Sequence, residues 1–135
     1  GGHDFKLDRM KTKEDILIDS VLKSFTSGNF LQVNKQILKD LKSGNLAVTL
    51  CSLLSKFRFL RGTGRLESNT FYCTYEHLHE DTGLSRLTLS SCVKKLKELN
   101  YLDFHVKYRS CPVHYTLNFR KIHEVMNLKK MNDGN

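Results

Sequence analysis

The stretch from Thr74 to Asn100 constrains the fold more than any other, because one glycine separates two helical patterns that are each capped at their start. Thr74 is placed to cap a short helix over Tyr75–Asp81, whose inward residue is Leu78. Gly83 then closes that helix in the left-handed conformation that glycine adopts freely. Leu84 fills the space beneath the turn, and Ser85 caps a second helix, Arg86–Asn100. Helices joined by so short a link must pack across one another.

A projection at 100° per residue sorts the faces of the second helix. Leu89, Cys92, Val93, Leu96 and Leu99 form one apolar stripe that must face a core. Leu87, Ser90, Ser91, Lys94 and Glu98 fall on the opposite side, with Arg86, Lys95 and Lys97 at its edges. A helix pair of this kind, with the second helix longer and freshly capped, describes a helix-turn-helix. Basic side chains on its outer face suit guanine edges or phosphates, and small hydroxyls allow close approach to a groove.

Beyond the helix pair the pattern becomes extended. Tyr101, Leu102, Phe104 and Val106 suit a strand over Tyr101–Tyr108. Arg109-Ser110-Cys111-Pro112 reads as a turn, and the alternation of Val113, Tyr115, Leu117 and Phe119 against His114, Thr116 and Asn118 predicts a half-exposed strand. A last amphipathic helix spans Lys121 to about Met131, with Ile122, Val125 and Met126 on its seam.

Upstream, Thr12 and Asp15 form a capping-box pattern ahead of Ile16, Leu17, Val21, Leu22 and Phe25. Phe30–Val33 reads as extended, and Asn34 caps a helix carrying Ile37, Leu38 and Leu41. Ser43-Gly44-Asn45 breaks it before a buried helix from Leu46 to about Leu60. Arg61–Asn69 is the longest loop, and its Gly62-Thr63-Gly64 lacks the flanking residues of a phosphate cradle.

With 135 residues the expected division is a disordered tag or amino-terminal segment over 1–11, one domain over 12–131 and a disordered tail over 132–135. Within that domain the helix-turn-helix covers 74–100 and the hairpin 101–119. The fold class expected is α+β, mostly α. Hydrophobic content of 39% is ordinary for a globular chain. No apolar run is long enough to span a bilayer, so no membrane partner is expected.

Charge is more informative. Twenty-two Lys and Arg against 14 Asp and Glu give +8, which favours an anionic partner. Cys51, Cys73, Cys92 and Cys111 show no paired spacing, which fits reduced thiols and an intracellular, cytoplasmic setting. Cys73, His77 and His79 lie near one another without completing a ligand set, so no metal is assigned. No cofactor, small-molecule ligand or catalytic constellation is expected, and the chain is not read as an enzyme.

The run Thr74–Leu89 (TYEHLHEDTGLSRLTL), together with Val93–Leu102 (VKKLKELNYL), resembles the winged-helix domains of phage replisome organisers and plasmid replication initiators. The resemblance covers about Asn29–Phe119 and implies a winged helix-turn-helix with a β-hairpin wing and extra terminal helices. It further implies the origin-binding domain of a phage, plasmid or satellite initiator acting on double-stranded DNA. The residues expected at DNA are Ser85, Arg86, Leu87, Ser90, Ser91, Lys94, Lys95 and Lys97, with Lys107 and Arg109 from the wing. Two features depart from the pattern: His79 stands where the helix pair usually has a small residue, and the wing is short and modestly basic.

A transcriptional regulator at an operator would use the same chemistry. A protein-interaction winged helix, with Leu87 and the terminal helices as its surface, belongs to a different class. The apolar stripes of the two terminal helices need cover from the domain's own core or from a second copy, and the latter gives a homodimer.

Overall fold

Side chains with short polar tips set where the helices begin. Asn34, Ser43, Thr74 and Ser85 all have extended backbone and accept hydrogen bonds from amides one turn inside the helix they precede. The computed structural model describes residues 11–25, 28–106 and 113–133, and side chains as far as residue 127. The order is α1 (Lys13–Ser24), α2 (Lys35–Leu41), α3 (Gly44–Gly62), β1 (Thr70–Cys73), α4 (Tyr75–Thr82), α5 (Arg86–Glu98), β2 (Leu102–Val106), β3 (Val113–Leu117) and α6 (Phe119–Asp133). The class is α+β, mostly helical, with one three-stranded antiparallel sheet. No described helix is long and apolar enough to cross a membrane.

The chain falls into two units, Gly1–Phe30 and Leu31–Asn135. In the first, the expected capping box is present. The Asp15 amide donates to Thr12 Oγ1 at 3.1 Å, and the Thr12 amide donates to Asp15 Oδ2 at 3.0 Å. The Thr12 amide, followed by the Thr12 hydroxyl, holds the Asp15 carboxyl below its ordinary value. No residue of α1 is buried, and Ile16, Leu17, Ile18, Val21 and Leu22 are all exposed.

The second unit is built around α3, which buries Ala47, Leu50, Cys51, Leu53 and Phe57. Ile37 and Leu41 of α2, Leu78 of α4, Leu89, Val93 and Leu96 of α5, and Ile122 of α6 join them in one cluster. The sheet closes the cluster with Phe71, Cys73, Leu102, Val113, Tyr115 and Leu117. Phe57 packs edge-on to Phe71, with ring centres 5.7 Å apart, and lies 4.9 Å from the Phe119 ring. Two polar residues of α3 are fully buried and both are bonded: Thr49 to the Asn45 carbonyl at 2.7 Å, Ser52 to Asp81 Oδ2 at 2.7 Å.

Several boundaries differ from the sequence expectation, each for a local reason. The helix expected from Leu46 begins at Gly44, because Ser43 is its cap and not part of a break. It ends where Gly64 turns left-handed and the Arg65 amide reaches back to the Leu60 carbonyl. The second helix of the pair stops at Glu98 rather than Asn100. Asn100 has φ 66°, and its amide and that of Tyr101 bond to Lys97 and Leu96 carbonyls in a Schellman closure. The last strand stops at Leu117, since Asn118 Oδ1 accepts the Lys121 amide and starts α6 two residues ahead of the expected Lys121. Residues 132 and 133, expected in a disordered tail, belong to α6.

β1 is not among the elements expected from the sequence. It occupies the central strand's free edge, so the order is β1-β3-β2 with Phe71 opposite Tyr115 and Phe104 opposite the same residue. Its residues alternate by burial, Phe71 and Cys73 inward against Tyr72 outward. That alternation is too short a signal to separate from the preceding loop.

Candidate nucleic-acid interface

α4 and α5 are positioned by contacts that bracket Gly83. Gly83 has φ 74°, and its amide donates to the His79 carbonyl at 2.7 Å. The Leu84 amide donates to Thr82 Oγ1 at 3.1 Å, and Thr82 Oγ1 donates to the Leu78 carbonyl at 2.6 Å. His79 is exposed, and its Nδ1 lies 2.8 Å from the Leu84 carbonyl oxygen. It therefore ties the turn from outside, and its bulk does not enter the contact between the helices. On the inner side, the Ser52–Asp81 hydrogen bond fastens α4 to α3, and His77 Nε2 stands 3.5 Å from the same Asp81 oxygen.

The face of α5 is set by this anchorage. Leu89, Cys92, Val93 and Leu96 are buried and Leu99 is half-buried, as the projection predicts. Leu87, Ser91, Lys94 and Glu98 are exposed on the opposite side. Ser90 is half-buried rather than fully outward, since it sits at the edge of the stripe beside Val93. Ser85 is exposed at the start of the helix, its hydroxyl shared between the Thr88 amide and the Thr88 hydroxyl.

The cations on this face are not equivalent. The Arg86 guanidinium stacks 5.8 Å from the centre of the Tyr75 ring, which links the first residues of α4 and α5. Lys95 is 3.6 Å from Glu98, and Lys97 is 3.2 Å from Asp103 on β2. The Lys97 ammonium holds the Asp103 carboxyl below its ordinary value and lies over the Phe104 ring. Lys94 has no ion pair among the described residues. Arg86 and Lys94 are thus the cations of α5 whose charge no described carboxylate offsets. α4 works against them, because Glu76 and Glu80 are exposed on it.

An open groove of about 410 Å³ runs between the start of α3 and the outer side of α5. Ser43, Asn45 and Leu46 line one wall, and Leu87, Thr88, Ser91 and Lys95 the other. Thr88 and the α3 residues are outside the site expected from the sequence, since nothing in the order of residues brings position 45 to position 91. Lys107 and Arg109 lie outside the described residues. Cys51, Cys73 and Cys92 are buried free thiols. Cys73 faces the core while His77 and His79 bond elsewhere, so the three do not converge.

No protein-family model, curated protein or solved structure matches this chain.

Proposed function

We propose that the second unit is a winged-helix domain that binds double-stranded DNA, with α5 as the helix that enters the major groove. The observation that carries this reading is the division of α5 into two faces. One is locked into the core through Leu89, Val93 and Leu96, and the other presents Leu87, Ser91 and Lys94 along one line. A helix held so firmly on one side offers the other at a fixed angle, which base-edge recognition requires. The turn at Gly83 and the β2–β3 hairpin directly after α5 support the same reading, the hairpin being the wing. The +8 charge of the chain supplies attraction to phosphates.

Within this class the proposed role is origin binding in a replication initiator of a phage, plasmid or satellite. That part rests on the resemblance of Thr74–Leu102 alone. The test is selection of duplexes from a random library by the full chain at moderate salt. Enrichment of one motif is the expected result, and directly repeated half-sites would favour an initiator loaded in several copies over a two-fold regulator. Recovery of unenriched DNA, or of none, overturns the proposal.

A further inference from the structure

Leu87 is 83% exposed, the most exposed of the large hydrophobic side chains described. It stands in the first turn of α5, while Arg86 beside it and Lys94 on the same line are cationic. A protein-docking leucine is ordinarily surrounded by apolar neighbours. Of its neighbours along α5, Arg86 and Ser91 are exposed and Thr88 half-buried, and across the groove stand Ser43, Asn45 and the half-buried Leu46, so polar groups outnumber apolar ones around it. Arg86 beside it is a cation with no ion pair among the described residues, so an apolar group carried on a polyanion would suit this position. In the major groove of B-DNA one base carries such a group, the 5-methyl of thymine.

We infer that Leu87 is a specificity-determining residue that selects thymine by contact with its 5-methyl group, an inference that rests on the proposed DNA binding. Its place supports this. Leu87, Ser91 and Lys94 are related as i, i+4 and i+7, so they lie on one line spanning about 10 Å of helix axis. Leu87 leads from the capped end of that line. Ser91, one turn behind, is small enough to let the helix approach, and Lys94 is placed for a phosphate or a guanine edge. Leu87 and Ser91 also line the open groove whose far wall is Ser43, Asn45 and Leu46, so there is free space beside Leu87 for a group that approaches it.

The experiment uses the full chain and the duplex recovered by selection, with each thymine replaced in turn by deoxyuridine. This deletes one methyl group and leaves Watson–Crick pairing unchanged. At one thymine per binding site the affinity should fall about fourfold, the loss expected for one buried methyl-sized group. At the others it should stay constant. Leu87→Ala, whose side chain supports no core contact, should keep the wild-type melting temperature and bind thymine and deoxyuridine duplexes equally. Equal wild-type binding to every substituted duplex overturns the inference and leaves DNA binding intact. So does a Leu87→Ala protein that still discriminates the methyl. A shift in sedimentation of Leu87→Ala without DNA would assign the residue to self-association instead and also overturn it. Failure to retain any duplex overturns both this inference and the proposed function.

Discussion

Tyr101 and Tyr115 are both fully buried, but their hydroxyls meet different surroundings. Tyr101 donates to the Asp40 carboxylate on α2, while the Tyr115 hydroxyl has no partner among the described residues. Tyr101→Phe should therefore cost about 1.5 kcal/mol, the low end for a hydrogen bond to a charged group, because Asp40 is exposed. Tyr115→Phe removes a polar atom that is desolvated without compensation, and should be neutral or stabilising by up to about 1 kcal/mol. Urea titration of the two variants checks the opposite signs. The same burial raises the pKa of both phenols, and it pushes the Cys73 thiol up to about 12. Groups with raised folded values stabilise fully below their unfolded values, and that stability is lost as pH rises toward the folded ones. The urea midpoint should thus fall above about pH 9, where the unfolded thiol and then the phenols begin to ionise. The fall should be shallower in Tyr115→Phe.

At the level of elements, α5 divides its residues between the core and the proposed DNA contact. Leu96 is fully buried, so Leu96→Ala should cost about 2–5 kcal/mol by leaving a cavity beneath the helix. Lys94 is exposed and unpaired among the described residues, so Lys94→Ala should change stability by less than about 0.5 kcal/mol and weaken duplex binding. Calorimetry beside a binding titration distinguishes the two, and the reverse pattern would mean that the outward face has been misassigned. The α4–α5 turn offers a second check. A Cβ at Gly83 would meet nothing within 4 Å, so Gly83→Ala bears only the cost of a left-handed backbone, about 1–2 kcal/mol. Gly83→Asn should recover part of it, because asparagine tolerates that conformation, as Asn100 does at the end of α5.

For the whole molecule, the distribution of charge matters more than its total. With Lys95 and Lys97 already beside carboxylates, Arg86 and Lys94 are the described cations of α5 that no described carboxylate offsets. If they and other basic residues neutralise several phosphates, log affinity should fall linearly with log salt, at about −0.9 per phosphate. Lys94→Ala should reduce the slope by roughly one contact. Binding that does not vary between low and moderate salt would remove the electrostatic part of the proposal.

The caps at Thr12, Asn34, Thr74 and Ser85, the left-handed glycine at position 83 and the inward stripe of α5 are all legible in the sequence. Each depends on residues within one or two helical turns, so local order carries the whole signal. The hairpin is legible for the same reason, since its alternation is continuous through Val113–Leu117. Tertiary structure decided the rest. β1 is a strand because its edge pairs with a segment more than forty residues away, Thr70 opposite Thr116. The Ser52–Asp81 and Tyr101–Asp40 bonds, which orient α4 and fix the start of β2, join residues 29 and 61 positions apart. The wall that Ser43 and Asn45 form beside Leu87 has the same origin. Periodicity states which face of an element is apolar; only packing states which other element that face, or the one behind it, will meet.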